Sequence, residues 1–216
     1  MKRICFFSLL MTVVLSARLD AQCVIYPSLK SFLEQDGDTV EALCVEKRTR
    51  NQIMLTGGAD YRVSADENNS LSRRLKRRTF AIRTGEGDLY LNCRKMRYKK
   101  MRFGAWYAPA VKIGDNLFFS AVPLGSVVGG QFVSTEEVKL GGQVGDAIAT
   151  SSLVNKRVCY ELDTATGKVE FLDRERMLQL LDNYPEYKEA YLNEESPESK
   201  CTFKYLLLIQ GKSRSE

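Results

Sequence analysis

The sequence predicts an antiparallel α+β fold, with β hairpins first, short helices towards the C-terminus and a Gly-rich central segment. Three observations predict it. Short apolar stretches come in pairs around Gly/Asp turns over much of the chain. The last third carries helix caps and helical spacing. The composition, 44% hydrophobic and 27% charged over 216 residues, is ordinary for a globular chain.

The first residues read as a secretory signal peptide. Lys2 and Arg3 precede an uncharged run from Ile4 to Ala17, and small residues follow. The run is shorter than the roughly 20 residues of a comfortable membrane span. With Ala21 at −1 and Leu19 at −3, cleavage is expected after Ala21, giving 1–21 as signal peptide. Residues 22–216 then form a single α+β domain of 195 residues with a Gly-rich insertion at 120–150. Cys23 also stands where a lipidated cysteine would, although Gln22 and Asp20 fit a lipobox poorly.

Next, Tyr26-Pro27 opens a short helix with Leu29, Phe32 and Leu33 on one face. Thr39 to Lys47 alternates and reads as one strand. Ile53–Leu55 and Tyr61–Val63 flank Gly57-Gly58 as a turn region, and polar Ser64–Ser72 reads as a loop. Three hairpin signals follow: Thr79–Arg83 with Asp88–Cys93, Met101–Val111 with Asn116–Val122, and Arg157–Leu162 with Lys168–Leu172. Asp173 caps a helix carrying Met177, Leu178, Leu180 and Leu181, and Pro185 starts another through Tyr187 and Tyr191. Cys201–Ile209 is strongly apolar and reads as a closing strand or a final helix, with the alternation of Phe203, Tyr205 and Leu207 favouring the strand.

Two segments stand out. Between residues 71 and 102 there are twelve Lys/Arg against Glu86 and Asp88, a net +10. Tyr90, Tyr98, Phe103, Trp106 and Tyr107 are interleaved with or follow these cations. Such a pattern suits nucleic acid in a cytosolic protein, but export replaces nucleic acid with envelope polyanions or acidic proteins. The simpler reading is a solvated hairpin face. Residues 161–198 carry eleven Asp/Glu against four Lys/Arg, a net −7, so the basic hairpins and the acidic helices can face and neutralise each other. The second segment is uncharged from Asn116 to Thr135, with Ala121, Gly125 and Gly129 at every fourth position. Gly141, Gly145 and Ala149 repeat that spacing. It reads as a flexible loop, as close-packed helices, or as membrane-inserted helices.

Several chemistries are excluded. With zero histidines there is no Ser-His-Asp triad, no Cys-His dyad and no imidazole zinc site. No phosphate-binding glycine loop or calcium loop is present. No cofactor and no metal are expected. Cys44, Cys93, Cys159 and Cys201 are disulfide candidates in an oxidising compartment; the alternative is buried thiols acting as small apolar groups.

Certain stretches carry a resemblance. They are Ala21-Gln22, Tyr26-Pro27-Ser28-Leu29, Leu89-Tyr90-Leu91-Asn92-Cys93, and the Cys159-Tyr160-Glu161-Leu162-Asp163 strand continuing into Leu172, the Met177–Leu181 helix and Tyr191. In these the chain resembles the uncharacterised exported proteins common in Bacteroidetes. That resemblance implies an envelope location, periplasmic or outer-membrane associated, and no assigned chemistry.

The function expected from sequence is non-catalytic binding of an anionic envelope component or protein partner. Arg94, Lys95, Arg97, Lys99, Lys100, Arg102 and Trp106 would make the contact. One alternative is a membrane-associated assembly protein packing through Ala121, Gly125, Gly129, Gly141, Gly145 and Ala149. The other is a carboxylate-dependent hydrolase, which needs two acids in one cleft.

Overall fold

A computed structural model describes residues 22–41, 43–56, 58–65, 69–124, 156–194 and 199–213. It is an α+β fold. The described strands are β1 (Cys23–Tyr26), β2 (Asp38–Val40), β3 (Cys44–Lys47), β4 (Tyr61–Ser64), β5 (Ala81–Arg83) and β6 (Leu89–Asn92). After a 3-10 turn at Cys93–Lys95 come β7 (Arg97–Tyr98), β8 (Met101–Arg102), β9 (Tyr107–Ile113), β10 (Asn116–Ala121), β11 (Val158–Leu162) and β12 (Val169–Phe171). The described helices are α1 (Leu29–Leu33), α2 (Arg50–Thr56), α3 (Asn69–Arg78), α4 (Arg174–Leu180), α5 (Pro185–Leu192) and α6 (Ser199–Ser213).

The strands form one sheet in the order β2-β1-β5-β6-β9-β10-β11-β12-β7-β8, with β3 paired to β4 and β4 to β9. Every described pairing is antiparallel except β12 with β7. The three expected hairpins are present as β5–β6, β9–β10 and β11–β12, with Ile82 opposite Tyr90, Phe118 opposite Val111 and Glu161 opposite Glu170.

Alternation along the strands splits the apolar side chains between two faces. On β10, Leu117, Phe119 and Ala121 enter one core and Phe118 the other; on β11, Val158, Tyr160 and Leu162 oppose Cys159. The first face holds the large core, covered by Phe32 of α1 and by Met96, Tyr98 and Phe103. The second face is covered at one end by Leu71 and Leu75 of α3, over Ile25, Ile82 and Tyr107. At its other end Met177, Leu181, Tyr191, Tyr205, Leu206 and Ile209 cover Val111, Phe118 and Cys159.

The residues from Cys93 to Trp106 connect two neighbouring strands, β6 and β9, yet leave them to reach the far side of the sheet. There β7 pairs with β12 through Tyr98 and Val169. Burial of Tyr98, Phe103 and Met96 holds this excursion down. Phe103 and Tyr98 meet Tyr160 edge-on at 4.7 and 5.4 Å, an arrangement the ring quadrupole favours.

The structure corrects four expectations. Ile53–Leu55, expected to flank a turn region, lies in the helix α2. Thr49 and Gln52 form a reciprocal cap, each backbone N–H donating to the other side chain at 2.9 and 3.3 Å. The last four residues of polar Ser64–Ser72 belong to α3, whose stripe of Leu71 and Leu75 meets the core. Thr39–Lys47 divides into β2 and β3, which pair with different partners. Cys201–Ile209 lies in α6: Thr202, Tyr205, Leu206 and Ile209 are buried, a helical spacing, and Leu207 is exposed. The α4 and α5 starts are as expected, with the Asp173 carboxylate accepting the Arg176 N–H at 2.8 Å and Pro185 in the first turn of α5.

Candidate functional site

The Cys93–Trp106 excursion separates its aromatic side chains from its cations. Tyr98 and Phe103 are buried, while Arg94, Lys95, Arg97, Lys99, Lys100 and Arg102 are all exposed. Among the described residues none of these six cations has a carboxylate at salt-bridge distance. Lys99 has φ +54° in the β7–β8 turn, and its Nζ lies 5.2 Å from the Tyr98 ring centroid.

Among the described residues the acidic helices do not neutralise these cations. They pair locally: Arg176 with Glu161 at 2.8 Å, Lys188 with Asp182 at 2.5 Å, Lys204 with Glu194 at 3.5 Å, and Lys212 with Glu186. No described ion pair joins 71–102 to 161–198. The expected mutual neutralisation is therefore replaced by pairing inside the helical region, because α4–α6 pack on the face opposite the one that the excursion covers.

Trp106, unlike the other six predicted contact residues, is partly buried and packs against the large core. It is the hub of a second cluster that sequence reading missed. Arg48 Cζ, Lys76 Nζ and Arg62 Cζ lie 5.1, 5.5 and 6.0 Å from its ring centroid. Three elements supply these cations: Arg48 follows β3, Arg62 is on β4 and Lys76 is in α3. Trp106 has φ +80°, rare for a bulky residue, so its surroundings must hold it there. The hold is visible. The Ala59 N–H donates to the Ala105 carbonyl at 2.8 Å, and the Cys93 N–H donates to the Trp106 carbonyl at 2.9 Å. Gly58 and Gly104 have φ +83° and +87°, and a Cβ on Gly58 would stand 2.2 Å from the Ala105 oxygen. The crossing therefore requires glycine at 58.

Arg48 is buried and donates to the Ala59 carbonyl at 2.6 Å, the Gln52 carbonyl at 2.9 Å and the Thr56 hydroxyl at 2.5 Å. Burial lowers its pKa, partly offset by the negative charge of Asp60. Asp60 itself makes a two-pronged pair with Arg157 at 2.5 and 2.6 Å. Between α2, β3 and Trp106 lies a cavity of about 440 Å³, lined by Lys47, Arg48, Gln52, Leu55, Arg62 and Trp106 among others. Its size suits a small ligand.

The remaining predicted residues lie elsewhere. Ala121 is buried in β10, facing the large core, whereas Gly125, Gly129, Gly141, Gly145 and Ala149 lie outside the described residues. Cys23 is buried in β1, whereas an acylated cysteine needs its sulfur at the surface. The disulfide expectation is corrected for the described cysteines: Cys44, Cys93 and Cys159 carry thiols. Cys93 and Cys159 lie in cores on opposite faces of the sheet, and burial pushes both thiols well above their ordinary range. The Cys201 side chain lies outside the described residues. Among the described residues no group of three or more His, Cys, Asp or Glu could hold a metal ion. No described helix is long and apolar enough to cross a membrane.

No curated protein and no solved structure matches the chain. One protein family does, over residues 24–213, which takes in all of the described elements except the first residue of β1. The chain belongs to this family of unknown function (DUF6563).

Proposed function

We propose that the mature chain is an exported, non-catalytic binding protein of the cell envelope, engaging an anionic envelope component through the outer surface of the Cys93–Trp106 excursion. The observation that carries this reading is the set of six exposed cations, Arg94 to Arg102, without a described carboxylate partner. Buried Tyr98 and Phe103 anchor the backbone beneath them, so the charges are presented from a fixed surface. The order of basic, apolar and small residues in 1–21 supports export. Buried, unreactive Cys93 and Cys159 and the absence of histidine favour binding over catalysis.

Each exposed ion contact is worth about 0–1 kcal/mol, so useful affinity needs several together and falls with salt. The test is the triple variant Lys99→Glu, Lys100→Glu, Arg102→Glu, incubated with isolated cell envelopes at low salt. Loss of sedimentation with the envelopes is the expected result. Wild-type association would overturn the reading.

A further inference from the structure

We propose that the Trp106 cavity is a separate site for a sugar acid, a compact carboxylate carried on a polyhydroxylated ring. It goes beyond the envelope-binding reading and rests on none of the six cations from Arg94 to Arg102.

The charge comes first. The cavity lining holds Lys47, Arg48 and Arg62 beside Glu46, three positive groups to one negative. Lys76 adds a further cation over the indole, 5.5 Å from its centroid. Among the described residues neither Arg62 nor Lys76 has a carboxylate at salt-bridge distance. Glu46 stands opposite Arg62 in the β3–β4 register, and its Oε1 accepts from the Cys44 thiol at 3.6 Å. Cations gathered around one ring repel one another, and a bound anion relieves that repulsion.

The shape of the ligand follows from the rest of the wall. Thr49 and Gln52 bring a hydroxyl and an amide, groups that pair with the hydroxyls of a sugar, while the Thr56 hydroxyl is engaged by the Gln52 carbonyl and Arg48. Gln52 uses its side-chain oxygen at the start of α2, where the Thr49 N–H donates to it, so its amide N–H groups are left for donation. Leu55, 84% exposed, supplies an apolar patch for the C–H face of a ring. A bare inorganic anion would leave that patch uncovered. A nucleobase needs an open indole face, and cationic heads already stand over this one. Trp106 is fixed before any ligand arrives, because the Gly58–Gly104 crossing holds it at positive φ.

Trp106 is the only tryptophan in the chain, so its fluorescence reports this site alone. The mature protein is titrated with glucuronate, and in parallel with glucose, inorganic phosphate and adenosine monophosphate. A saturable emission change with glucuronate and none with glucose is expected. Arg62→Ala on β4 and Lys76→Ala on α3 should each weaken glucuronate by roughly tenfold, with unchanged circular dichroism. The proposal is overturned if glucuronate gives no saturable change, if glucose matches it, or if both variants bind as wild type. Tighter binding of phosphate or of the nucleotide would also overturn it, by assigning the cavity to a bare or an aromatic anion. The Lys99→Glu, Lys100→Glu, Arg102→Glu variant should bind glucuronate as wild type does, which keeps failure of this site distinct from failure of the envelope surface.

Discussion

The helical face and the Cys93–Trp106 excursion are both dense in charge, and they dispose of it in opposite ways. On the helical face each of four cations meets a carboxylate on a nearby element, as Lys188 does Asp182 and Arg176 does Glu161. These pairs help seat α4–α6 over Phe118 and Cys159. On the excursion the aromatic side chains go inwards and the cations outwards, with no described carboxylate to meet them. The difference teaches that net charge along a sequence does not say where a charge is available. Neutralised charge serves docking of one element on another. Charge held off by a buried aromatic anchor is open to a partner.

The anchor can be broken directly. Tyr160 is fully buried, contacts Tyr98, Phe103, Phe119 and Phe171, and its hydroxyl accepts the Leu124 N–H at 2.9 Å. Tyr160→Ala should cost about 3–5 kcal/mol in denaturant unfolding and release the excursion. A loss below about 1 kcal/mol would show that the aromatic cluster does not hold it.

Alkali probes both cores at once. Burial raises Cys93 and Cys159 far above the ordinary thiol value of 9.0, and raises Tyr90 to about 12. The folded state holds these protons after the unfolded chain has released them. Stability should therefore be flat below about pH 9 and fall as pH climbs through 9 to 12. Circular dichroism against pH reads the fall, and thiol labelling with mass spectrometry should find Cys93 and Cys159 unmodified until the chain unfolds. Labelling of either in the native protein at neutral pH would contradict their burial.

The smallest effects sharpen the contrast in charge. Asp173→Ala removes the α4 cap and should cost about 1 kcal/mol. Lys188→Ala, at an exposed pair, should cost under about 1 kcal/mol in the same assay. A larger loss at Lys188 than at Asp173 would make the surface pairs, rather than helix capping and apolar packing, the main support of the helical face.

The sequence by itself determined the α+β class, the three hairpins, the Asp173-capped α4 and the Pro185 start of α5. Those signals are local: a turn residue between alternating stretches, or a cap beside an apolar stripe, acts within a few residues. It also marked the excursion's cations and Trp106, because composition needs no geometry. Tertiary structure decided the rest. The α6 segment alternates over Phe203, Tyr205 and Leu207, yet it is a helix because burying Tyr205, Leu206 and Ile209 together against β9–β11 outweighs that short alternation. Arg48, Arg62 and Lys76 are unremarkable cations on three separate elements. They become a site only because the Gly58–Gly104 crossing forces Trp106 among them, and a contact across 46 residues of sequence leaves no periodic trace along the chain.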